Sequence, residues 1–130
     1  MLESTTLTFD QDGLLGPLAR ASDAELDRLD FGVIGFDHNG VVQRYNALES
    51  KTSGLRAGNA RGGDLFREIA PCMNNFLVAQ RFDDARDDDT SLDATIDYVL
   101  TFRMRPVPVK LRLLASPGEQ MRFVLVQRLL

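Results

Sequence analysis

One cysteine, Cys72, and one histidine, His38, stand among the 130 residues. A lone thiol excludes an internal disulfide, a CxxC redox pair and a multi-cysteine zinc site, and a lone imidazole cannot build a His-rich metal cluster. Positive charge is also short. Fifteen Lys and Arg face 19 Asp and Glu, a formal net charge of −4, so there is no broad electropositive surface for a phosphate backbone and no expectation of a nucleic-acid partner. The start, Met1-Leu-Glu-Ser-Thr-Thr6, lacks a basic n-region and an apolar h-region, and apolar stretches such as residues 123–126 are far shorter than a membrane span. P-loop, dinucleotide-fingerprint and nucleophile-elbow patterns are missing. The expectation is a cytoplasmic, soluble protein, or one module of a longer one, whose 44% apolar residues fill a single core.

Residues 1–20 carry scattered apolar side chains without steady periodicity, which suggests an N-terminal cap. Ser22-Asp-Ala-Glu25 has the form of a capping box opening a short helix through Leu26 and Leu29. Residues 31–36 and 41–45 are β-prone runs separated by Asp37-His-Asn-Gly40, a hairpin whose Asn-Gly pair tolerates positive φ. Asn46 then stands as an N-cap before a helix that Gly54 closes. Residues 55–63 read as a loop, residues 64–70 as a helical turn or two ended by Pro71, and Phe76, Ala79 and Phe82 fall at helical spacing. The acidic run 83–89 reads as a solvated connection.

The last third alternates. Ile96, Tyr98, Leu100, Phe102 and Met104 define one apolar face, Val107, Val109, Leu111 and Leu113 a second, and residues 121–129 a third strand after the Ser116-Pro-Gly118 turn. The total is an α+β domain: a five-stranded antiparallel sheet, flanked by short helices and covered on one face.

Two constellations could carry chemistry. Tyr45, Glu49 and Ser53 lie at i, i+4 and i+8 and, on a helix, would form a row. Such a row is either a solvent-facing polar stripe or the lining of a cavity, where desolvation keeps a carboxyl protonated and able to donate to a phenol or phenolate. Cys72 is either a small buried hydrophobe or an acyl acceptor. A hydrolytic Cys-His pair would need His38, which the hairpin turn places apart.

The hairpin and helix, with Ile34, Asp37, Gly40, Val42, Asn46, Ala47 and Gly54, have the pattern of a PAS domain. The run Val42-Gln-Arg-Tyr-Asn-Ala-Leu-Glu49, with Glu68-Ile-Ala-Pro-Cys72 and Phe102-Arg-Met-Arg-Pro106, resembles the photoactive yellow protein family over roughly residues 24–128. The resemblance implies a PAS fold with residues 1–28 as an N-terminal helical cap and 29–130 as the core. It implies a blue-light photoreceptor, not an enzyme, with p-coumaric acid held as a thioester on Cys72. Tyr45 and Glu49 match the pair that hydrogen-bonds the pigment's phenolate, Ser53 a hydroxyl supporting the tyrosine, and Met104 a methionine that assists the dark return. Arg56, Leu65, Ala70, Pro71, Leu100 and Phe102 complete the implied pocket. The position of the family's solvent-gate arginine is Leu55 here, with Arg56 beside it. Leu65 and Leu100 replace phenylalanines, and Phe123 replaces a tryptophan.

In the implied mechanism light isomerises the pigment and the Glu49 proton moves to its phenolate. The carboxylate is then left buried without its partner, and the cost opens the cap as a signal to a downstream protein or domain. A monomer or weak dimer is expected. The alternatives are a chromophore-free PAS sensory or interaction module, and an acyl-transfer enzyme that lacks a histidine base.

Overall fold

The computed structural model describes residues 7–101 and 105–128. Five strands form one antiparallel sheet in the order β2-β1-β5-β4-β3: β1 Gly32–Phe36, β2 Val42–Tyr45, β3 Leu92–Leu100, β4 Val107–Ala115 and β5 Arg122–Arg128. The expected α+β arrangement, a five-stranded antiparallel sheet with short helices, is therefore present. The segment 102–104, with Phe102 and Met104, lies outside the described residues.

The strands follow their alternation. In β3 the even-numbered residues from Leu92 to Tyr98 are half-buried, their odd neighbours are exposed, and Leu100 is buried. Every residue of β1, and β5 from Arg122 to Val126, is buried. The sheet is thus covered on both faces, not on one. Ile34, Val124 and Val126 face a core built with Leu65, Phe82 and Leu111. Val33, Phe123 and Leu125 face a second core supplied by the N-terminal segment, with Phe9, Leu14, Leu18 and Leu26. Alternation identifies both faces of a central strand as apolar but not what lies on each; that is set by how the chain returns over the sheet.

Local signals place the helices. Ser22 and Glu25 make the reciprocal capping box that opens α2, Asp23–Leu26, which is shorter than expected. It follows α1, Leu15–Arg20, where Leu14 and Leu18 bury one helical face that the preceding irregular sequence hides. Asn46 caps α3, Ala47–Ser53, and Gly54 at φ 83° closes it in the left-handed region where a Cβ is unfavourable.

Three expectations change. Residues 57–60 form a short helix, α4 (Ala57–Ala60), within the supposed loop. The turn after it is a π-helical segment, Leu65–Ile69, capped by Asp64, and it leads into a 3₁₀ turn, Pro71–Met73. The acidic run belongs to α5, Ala79–Asp88, because Ala79, Phe82 and Ala85 continue a three-residue buried stripe and the carboxylates take the opposite face. Phe76 precedes that helix and is 76% exposed.

Candidate functional site

Asn46 fixes the start of the site. It is buried, and its Oδ1 accepts from Val33 N (2.9 Å) and Glu49 N (3.2 Å). Its Nδ2 donates to the carbonyls of Leu26 (2.9 Å) and Phe31 (3.0 Å). One side chain therefore joins the end of α2, β1 and α3, and sets the direction in which the first turn of α3 points Glu49.

The expected row of three is split between two elements. Tyr45 ends β2, and α3 begins only at Ala47. Tyr45 and Ser53 nevertheless meet, hydroxyl to Oγ at 2.8 Å, and Ser53 Oγ also accepts from Leu55 N at 3.1 Å. Burial pushes the Tyr45 phenol up to about 12, the Ser53 bond opposes this, and the nearby Glu49 charge adds to it.

Glu49 is fully buried. Its Oε1 accepts from Arg128 Nη1 at 2.9 Å and its Oε2 from Arg128 Nη2 at 3.3 Å. Loss of hydration drives the carboxyl above its ordinary range, and the Arg128 bonds and charge pull it back without cancelling the effect of burial. β5 thus delivers a guanidinium to the buried carboxyl, a partner that the expectations from sequence do not include. A second unforeseen element is Gly32, where a Cβ would stand 2.1 Å from Glu49 Oε1. Arg128 had a faint signal in the sequence, a cation in phase with the inward-facing Val124 and Val126.

Cys72 sits in the 3₁₀ turn, half-buried, and packs against the buried cluster that contains Tyr45, Leu65, Ala70 and Leu100. Its carbonyl accepts from Tyr98 Oη at 2.5 Å and from Asn75 Nδ2 at 3.2 Å, and Asn75 also donates to Tyr98 Oη at 2.6 Å. This pins the cysteine turn to β3. Leu55 packs against the same cluster, but Arg56 and Pro71 are exposed. His38 is exposed in the hairpin turn.

The region offers a half-buried sulfur on an apolar cluster, a buried tyrosine hydroxyl and a buried carboxyl with raised proton affinity. Among the described residues no group of His, Cys, Asp or Glu could hold a metal, and no helix is long and apolar enough to cross a membrane.

No protein-family model matches the chain. The curated photoactive yellow protein of Rhodothalassium salexigens is 30% identical over 122 residues, covering 94% of this chain and 97% of that protein. That of Halochromatium salexigens is 30% identical over 121 residues, covering 93% and 96%. Among solved structures, the photoactive yellow protein domain from the sensor histidine kinase Ppr of Rhodospirillum centenum matches with a TM-score of 0.79 and 34% identity, over 87% of this chain and 98% of that one. The PAS domain of the Cronobacter turicensis quorum-sensing receptor RpfR, in complex with BDSF, matches at TM-score 0.60 and 15% identity, over 78% and 95%, and shares the fold.

Proposed function

The chain belongs to the photoactive yellow protein family, and from that premise we propose a cytoplasmic blue-light receptor that carries p-coumaric acid as a thioester on Cys72. The observation that supports it most is the fully buried Glu49, one helical turn from the Tyr45–Ser53 pair, with Cys72 packed on the cluster that includes Tyr45. When bound, the pigment supplies a blue-absorbing phenolate with a double bond that isomerises in light.

The protein residues do the rest. Cys72 Sγ forms the attachment bond by losing its proton and displacing the leaving group of an activated ester. Tyr45 Oη, oriented through Ser53, and the protonated carboxyl of Glu49 donate to the anionic oxygen, which offsets its loss of hydration. Leu65, Ala70 and Leu100 exclude water from the site, and Leu55 replaces a charged gate with an apolar one. Pro71 and Arg56, both exposed, are the rim residues in this reading. Phe102 and Met104 are assigned to the pocket by resemblance. After illumination Glu49 gives up its carboxyl proton, and the cap, residues 1–28 against the core 29–130, loosens to present a surface to a downstream signalling protein or domain. The similarity to a domain of a sensor histidine kinase supports such a partner.

A second reading, a chromophore-free PAS sensory module, is favoured by one observation: Arg128 satisfies Glu49 without any ligand. Incubation with an activated p-coumaroyl ester followed by intact-mass measurement separates the readings. The expected result is a stable, yellow, single adduct that Cys72→Ala abolishes while leaving the fold intact. No adduct on the folded wild-type chain sinks the receptor assignment, and release of free acid with turnover would identify an acyl-transfer enzyme.

A further inference from the structure

We propose that Arg128 is a positioning residue that holds the Glu49 carboxylate once its proton has left, and that Gly32 lacks a side chain because that carboxylate occupies the space. The inference rests on the reading of Glu49 as proton donor. Both carboxyl oxygens meet the guanidinium, at 2.9 and 3.3 Å. A guanidinium has donors only, so this two-point contact fits a carboxylate; in a carboxylic acid one oxygen carries a proton that would face a guanidinium N–H instead of accepting from it. The position is built on the glycine. A Cβ on Gly32 would lie 2.1 Å from Oε1, so any side chain there would expel the carboxyl from its place beside Arg128.

Among the described residues Arg128 from β5 is the charged group that acts on Glu49, and Tyr45 at the end of β2 is the neighbour whose phenol the Glu49 charge raises. Lys51 on α3 is solvent-exposed, as is Asp27 beyond α2, which accepts from Ala47 N at 2.7 Å. The charge balance is simple. One proton leaves a Glu49 oxygen, Arg128 keeps all of its own, and the new negative charge lies against a standing positive one. Arg128 therefore slows recapture of the proton and sets how long the ionised state persists. The same strand carries Phe123 and Leu125, on which the cap rests, so the residue that holds the charge belongs to the strand that supports the cap.

The test is a carboxyl ¹³C NMR titration of the full chain without pigment. Arg128→Gln is expected to raise the proton affinity of Glu49 by roughly 10- to 1,000-fold, the usual effect of losing an adjacent opposite charge. Arg128→Lys, which retains charge but loses the fork, falls between. Gly32→Ala leaves Arg128 in place, displaces the carboxyl and raises the affinity in the same direction. In the loaded protein, time-resolved infrared spectra are expected to show a shorter-lived light-induced carboxylate in Arg128→Gln than in wild type. An unchanged Glu49 titration in both Arg128→Gln and Gly32→Ala overturns the proposal. Shifted titrations in a loaded wild-type chain whose Glu49 stays protonated in light uphold the pairing and overturn the proton-donor reading instead.

Discussion

Asn46→Ala is the perturbation for which the structure gives the fullest account. Four hydrogen bonds of 2.9 to 3.2 Å converge on a side chain that is 1% exposed. Loss of the α3 cap alone costs about 0.5–2 kcal/mol. The Val33 amide, buried in β1, then has no acceptor, a further penalty of about 1–3 kcal/mol, and the carbonyls of Leu26 and Phe31 lose a donor. Together these predict roughly 3–5 kcal/mol, a large share of the 5–15 kcal/mol typical of a domain, and a melting temperature lower by on the order of 10–20 °C. Asn46→Asp keeps the acceptor but sets a carboxylate against two carbonyls, so it fares no better. Urea unfolding measures the loss, and amide exchange at Val33, Glu49 and the α2 region is expected to accelerate together. A change below about 1 kcal/mol, or faster exchange confined to α3, would refute the reasoning that this residue couples α2, the sheet and α3.

Two further outcomes follow from the same contacts. Tyr45 ionises near 10 when unfolded and about 12 when folded, so the folded state binds its proton more tightly; its contribution is complete below pH 10 and falls as pH rises toward 12. Urea unfolding across that range is expected to show the decline in wild type and not in Tyr45→Phe. Arg112, 5% exposed, donates to the carbonyls of Phe9 (2.8 Å) and Gln11 (2.7 Å) and pairs with Asp93 at 2.9 Å. Arg112→Met should cost about 2–4 kcal/mol and open residues 8–13 to limited proteolysis first; cleavage beginning in α5 instead would deny Arg112 that anchoring role.

Much of the fold was legible because its signals are local. The Ser22–Glu25 box, the hairpin turn, the Asn46 and Gly54 caps and the alternation in β3 each depend on neighbours a few residues apart. Tyr45, Glu49, Ser53 and Cys72 were likewise marked by type and order. The helical acidic run was misread because its buried stripe is only Ala79, Phe82 and Ala85, two of them small and easily lost among charges.

Read alone, the residues marked most of the strands, several helix caps and the side-chain types of the candidate site. Only tertiary structure decided their company: Arg128 reaching Glu49 across 79 positions, Arg112 holding the carbonyl of Phe9 across 103, and the N-terminal segment covering the second face of the sheet. Periodicity and capping express short-range geometry. The partner of a buried charge depends on which strands become neighbours in the sheet, and that order belongs to the folded chain as a whole.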